Sequence, residues 1–261
     1  MKLFGKKNRE NGTPPPAQKQ PPKPPIQIAF EKNLKFMNQV SYPNEFFEGF
    51  FTESDRISTH IAGYADFPTG KVVIADPLVY LGTKYETVLH REIPKGSYPV
   101  ELSVLYSQTA GLRIAAARLR VREEKAAAYK LAMPDGHTEE DINKPGVFVF
   151  MGVDAGMACF TDKQISEEYD AFLRKWHTEN PDKNHYDDYF AAYFAESYEN
   201  CPEFQREGGD FIEWTIPEGQ NKLVMFASGL GDGIYCGYWG ENSSGEITEL
   251  VIPFLNPEFF P

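Results

Sequence analysis

From Arg56 onward the chain falls into short β-favouring runs broken at close intervals by Gly, Pro, Asn and Asp, and that punctuation limits its fold more than any other feature. Runs of this length are too short for long helices and are satisfied by pairing side by side. Residues 57–64 lead to the turn Phe67-Pro68-Thr69-Gly70, whose chemistry suits a hairpin, and residues 71–75 stop at Asp76-Pro77. In residues 97–107, Val100, Leu102 and Val104 share one phase, as a strand with one buried face requires. Residues 147–153 form an apolar run that reads as a buried strand, continued by residues 157–160. Residues 211–216, 223–227, 234–239 and 247–252 read as four more strands, and the turns between them suit an antiparallel meander.

Other stretches follow a helical period. Residues 26–40 carry Ile28, Phe30, Leu34 and Met37, and residues 44–51 carry Phe46, Phe47, Phe50 and Phe51. Residues 166–176 place Tyr169, Phe172, Leu173 and Trp176 on one stripe, and residues 188–198 resemble them. Residues 112–133 set propensity against pattern, because their Ala, Leu, Arg, Glu and Lys favour a helix. Their alternation is period two: Ala115, Ala117, Leu119 and Val121 fall on one face, Ala116, Arg118, Arg120 and Arg122 on the other. This predicts two strands with a hairpin bend at Glu123-Glu124-Lys125. The expected fold is α+β, a mainly antiparallel, sandwich-like sheet assembly. It has a helical lead-in at 26–51, a two-helix insertion at 164–199, and one globular domain over 26–261.

The charge is unevenly spread. Residues 1–25 hold six basic residues against Glu10, a charge of +5, which leaves −17 on the remainder of a 261-residue chain whose sum is −12. Seven of the 20 prolines also lie there, so this stretch reads as a disordered, basic tail, able at most to touch anionic surfaces weakly. With 41% hydrophobic and 14% aromatic residues the body must fold, and its acidity excludes a general attraction for nucleic acid. No secretory signal and no apolar run long enough to span a membrane are seen, and Cys159, Cys201 and Cys236 lack the spacing of a zinc site. A cytoplasmic location is expected, and no cofactor is implied.

Several segments invite a chemical reading. Ser228-Gly-Leu-Gly-Asp-Gly233 is glycine-rich, but Ile234 stands where a dinucleotide fingerprint needs its third glycine, and the Gly-Lys-Ser/Thr ending of a phosphate loop is missing. A tight hairpin turn capped by Asp232 is the favoured reading over ligand binding. Gly152-Val-Asp154-Ala-Gly156, with Asp162 eight residues after Asp154, could bring Asp154, Asp162 and Asp232 together around a hard cation. Alternatively, Asp154 ends a strand and Asp162 caps the next helix. Cys159 with His185 and Asp187 or Asp188 has the residue types of a thiol hydrolase, although its apolar neighbours suit an inert thiol. Gly208-Gly-Asp-Phe211 resembles a cyclic-dinucleotide synthase signature only superficially, and Asp182-Lys-Asn184 fails as a calcium loop. Arg113, Arg118, Arg120 and Arg122 could bind an anionic ligand, or simply pair with nearby carboxylates.

In order along the chain, Gly70–Leu78, Pro94–Val100, Ile114–Arg122, Gly152–Gly156 with Cys159–Asp162, and Ser228–Tyr235 with Tyr238-Trp-Gly240 resemble the bacterial family known as domain of unknown function 4241. The resemblance covers about residues 55–254. It implies a cytoplasmic, β-rich protein in which the two Asp-Gly segments are the most recognisable positions, and it supports a strand at 114–122. The resemblance carries no activity; the acidic body alone leads to the expectation of a non-enzymatic binding module for a protein partner, such as an immunity-type protein that neutralises a basic toxin. Its candidate positions are Asp154, Gly156, Asp162, Gly231, Asp232, Gly233 and Arg118. The rival expectation is a metal-assisted hydrolase using Asp154, Asp162 and Asp232.

Overall fold

The structure is a computed structural model and describes residues 22–142, 144–217 and 219–261. Most of the expected disordered tail lies outside the described residues, and Pro25, the last residue assigned to it, opens a helix. That helix, α1 (Pro25–Phe36), begins on a proline whose missing N–H costs a first turn nothing, and α2 (Asn44–Phe50) follows. Next come β1 (Ile57–Phe67), β2 (Lys71–Ala75), β3 (Thr87–Glu92), β4 (Gly96–Ser107), β5 (Gly111–Arg120), β6 (Ala128–Leu131), β7 (Met151–Val153) and β8 (Met157–Asp162). The insertion is α3 (Lys163–Glu179), a π-helical turn Tyr186–Phe190, and α4 (Ala191–Asn200). The chain finishes with β9 (Phe211–Thr215), β10 (Lys222–Ala227), β11 (Gly233–Tyr235), β12 (Tyr238–Glu241) and β13 (Ile247–Pro253).

The strands form a six-stranded sheet in the order β1-β4-β5-β13-β12-β6, a five-stranded sheet in the order β3-β2-β8-β10-β9, and a β11-β7 ribbon. Every pairing is antiparallel. The fold is α+β and sandwich-like, as expected, and side-chain alternation shows why. In the six-stranded sheet, Val100, Leu119, Leu250 and Trp239 lie in register on the face turned to the other sheet and are all buried. Its opposite face carries Glu101, Arg118, Val251 and Tyr238, and α2 covers it through Phe47 on Tyr238 and Phe51 on Arg118. In the five-stranded sheet, Phe160 and Phe226 point inward, while Cys159 and Trp214 lie under α3, where Tyr169 and Phe172 meet Trp214. Two-sided coverage explains why β13 is buried at every residue. Among the described residues no helix is long and apolar enough to cross a membrane.

The strand partners differ from the local reading in four places. The turn at 67–70 makes no hairpin, because its Thr69 and Gly70 amides both donate to Asp162, at 2.9 and 2.8 Å, and send the chain from one sheet to the other. Residues 112–133 are two strands, but β5 already has β4 and β13 at its sides, so β6 joins the far edge beside β12. The expected strand 234–239 breaks at Cys236-Gly237, where the chain leaves the ribbon for the six-stranded sheet, so the last four runs are no single meander. The run 147–153 is a strand only from Met151, and β3 arises from a segment without a clear signal.

Candidate functional site

The two Asp-Gly segments meet at one corner of the molecule. β7 and β11 pair Val153 with Gly233, and continuing that register sets Asp154 opposite Asp232. The turns touch behind them: the Ser228 amide donates to Gly156 O at 3.0 Å, and a Cβ on Gly156, whose φ is +68°, would lie 3.4 Å from the Gly231 Cα. The glycine loop is locked from inside, since the Ser228 hydroxyl donates to Gly231 O and the Tyr235 hydroxyl lies 2.7 Å from the same oxygen. It is therefore a built turn, in which Gly231 and Gly233 serve the backbone and Asp232 projects into solvent.

The residue that organises this corner is Asp76, which the sequence marked only as the end of β2. Fully buried, it accepts the amides of Leu78, Asp154 and Ala155 at 2.9, 3.0 and 2.6 Å. Burial pushes its carboxyl pKa up against the pull of those amides. Its main-chain carbonyl receives the amides of Val79, Tyr80 and Leu81, which coils the chain into a turn and presents Tyr80. The Tyr80 hydroxyl donates to Asp154 at 2.5 Å, and the negative charge of Asp154, Asp76 and Asp232 holds the phenol proton on.

Beside Tyr80 opens a cleft of about 690 Å³ whose wall is Tyr80, Tyr85, Phe148, Phe150 and Gly152. Gly152 lets the rings close in, since a Cβ there would sit 3.4 Å from Tyr80 and 3.9 Å from Phe148. Ile234 pairs with Gly152 and so shares its face. Phe148 is 58% exposed, Tyr85 65% and Ile234 46%. Phe148 had been expected inside a buried strand. The cations at the cleft are already engaged: Lys71 with Asp135, Lys163 with Glu86, and Lys84 over the Tyr85 ring.

The remaining candidates sit elsewhere. Asp162 ends β8 on the far side, where it accepts the Gln164 amide as the cap of α3 together with Thr69 and Gly70, and it does not join Asp154 and Asp232. Among the described residues no group of three His, Cys, Asp or Glu side chains could hold a metal ion. Arg118 is sealed under Phe51, 3.9 Å from the ring centroid, and bonded to Glu101 and Glu249, while Arg120 pairs with Glu101 and Arg122 with Glu246. On that face these arginines are paired with its own carboxylates. Cys159 is fully buried beneath α3, with its thiol pKa driven up by desolvation and no basic group to lower it. Asp210 of the Gly-Gly-Asp-Phe segment holds Arg206 and its amide.

The profile of one family, described as a protein of unknown function (DUF4241), matches residues 65–252. The chain belongs to this family. The match contains both Asp-Gly turns, Asp76, Tyr80 and the aromatic wall, and leaves out α1 and α2. No curated protein and no solved structure matches the chain.

Proposed function

We propose that this family member is a cytoplasmic, non-enzymatic binding module that engages a basic protein partner at the cleft beside its Asp-Gly turns. One observation carries the reading: exposed Tyr85, Phe148 and Ile234 gather beside two exposed carboxylates, Asp154 and Asp232, that form no ion pair with a basic residue among the described ones. An apolar patch with a charged rim is the usual anatomy of a protein contact. The body's charge of −17, outside residues 1–25, speeds the approach of a basic partner and disfavours nucleic acid. Free Cys159, Cys201 and Cys236 suit a reducing compartment. Asp76 and Asp162 are committed to backbone amides and Cys159 to the core.

The test is affinity capture from the native host with three baits. Wild type is expected to recover one basic protein in stoichiometric amount. Phe148→Ala and the double variant Asp154→Lys/Asp232→Lys are each expected to lose it. Recovery of nothing by wild type, or equal recovery by all three, overturns the reading.

A further inference from the structure

On the other side of α3 from that cleft, a second groove of about 690 Å³ runs between the helix and Ile216, Pro217, Gly219 and Asn221. We propose that it receives a segment of a protein partner carrying two arginines four residues apart, with one guanidinium at each end of the groove. The inference is independent of the reading above, since no residue of the acidic corner lines this groove.

The floor is aromatic. Phe172 and Trp176, four apart on α3, meet Tyr189 at centroid distances of 5.2 and 6.1 Å and interplanar angles of 51° and 65°. The three rings are half-buried and line the groove with Ile216 and Pro217, so it is walled by aromatic and apolar faces. A planar guanidinium stacks on such faces and is attracted by their quadrupole, and it loses less hydration than an ammonium on doing so.

A carboxylate stands at each end of this floor. Glu168 is held in place by the side-chain amides of Gln164 and Asn221, which donate to its two oxygens, both at 2.8 Å. Glu179 is exposed on the last turn of α3. Lys175 also lines the groove and has an interaction of its own, so among the described lining residues two carboxylates stand against one ammonium. Eleven residues of helix separate the carboxylates, roughly 16 Å. Two side chains four residues apart on an extended segment share a face and lie about 13 Å apart, and the reach of two arginines covers the difference. The aromatic floor between the carboxylates then takes the aliphatic stems.

The probe is the capped peptide Arg-Gly-Ser-Gly-Arg, with the citrulline peptide Cit-Gly-Ser-Gly-Cit as its neutral isostere, added to the full chain and followed by the Trp176 indole and backbone NMR signals. The arginine peptide is expected to shift Trp176 and residues 216–221 saturably, and the citrulline peptide to bind at least tenfold more weakly. Trp176→Ala should abolish the shifts. Glu168→Gln/Glu179→Gln, which leaves the apolar contacts in place, should weaken binding about tenfold and keeps the test valid if the tryptophan variant unfolds. Equal binding of the citrulline peptide, shifts spread over the acidic surface without saturation at Trp176, or no shift at all overturns the proposal.

Discussion

At its C-terminal end β8 finishes in Asp162, sealed from solvent and bonded to three backbone amides and the Thr69 hydroxyl. At its N-terminal end, roughly 17 Å away by strand rise, Asp154 and Asp232 stand in solvent across a two-stranded ribbon, with Asp76 buried behind them. Both ends are aspartate-rich and both join segments distant in sequence, yet only the buried carboxylates hold the fold together. A carboxylate satisfied by amides inside the protein is structural. One left exposed opposite a like charge holds nothing together and carries some cost to stability.

The contrast breaks most visibly at Asp162. Asp162→Ala leaves the Thr69 and Gly70 amides and the first turn of α3 without an acceptor, and orphaned buried donors cost about 1–3 kcal/mol each where water cannot reach them. The expected loss is about 3 kcal/mol, read as the shift of a urea unfolding midpoint at constant slope. A loss below about 1 kcal/mol would mean that this end of β8 is not held by its aspartate.

Asp76→Asn tests the buried member of the other end. The new side chain keeps one acceptor oxygen, so it cannot accept from Leu78 at one position as well as from Asp154 and Ala155 at the other, and a loss of about 2 kcal/mol is expected at neutral pH. The pH dependence has a definite sign. The Asp76 carboxyl is raised in the folded protein above its unfolded value, so the folded state binds the proton more tightly. Its contribution to stability is therefore fully present below the ordinary carboxylate range and is lost as pH rises through the raised folded pKa. Wild type should gain on Asp76→Asn as the pH falls through that window. A gap that is flat with pH would show that burial does not perturb this carboxyl.

A smaller effect is expected at the contact between the turns. Gly156→Ala forces a Cβ into the left-handed region at φ +68° and against the Gly231 Cα, for about 1–2 kcal/mol. A neutral result would mean that the two Asp-Gly turns are not held in contact.

Much of this architecture was legible in the sequence. Period-two alternation correctly made strands of residues that propensity assigns to a helix, because Ala116 and Arg118 needed one environment and Ala117 and Leu119 another. Choice of partner was illegible, because it is set by groups far apart along the chain: Asp162 redirects a turn 92 and 93 residues earlier. The meeting of the Asp154 and Asp232 turns could be posed as a question from sequence and answered only by the β7-β11 register. Tyr80, Tyr85 and Phe148 went unnoticed for the opposite reason. Apolarity alone reads as core, and Phe148 shows that the same signal also describes an exposed contact.

The finest test of the comparison is Asp232→Asn. If the exposed end of β8 is kept for a partner, removing this charge relieves repulsion with Asp154 and leaves every backbone hydrogen bond of the glycine loop intact, because those run through Ser228, Gly231 and Tyr235. Stability should then be unchanged or rise by a few tenths of a kcal/mol, as for other exposed charges. The same substitution should weaken capture of a basic partner. A loss of 1 kcal/mol or more in urea unfolding would place Asp232 with Asp162 among the structural aspartates and remove the distinction between the two ends.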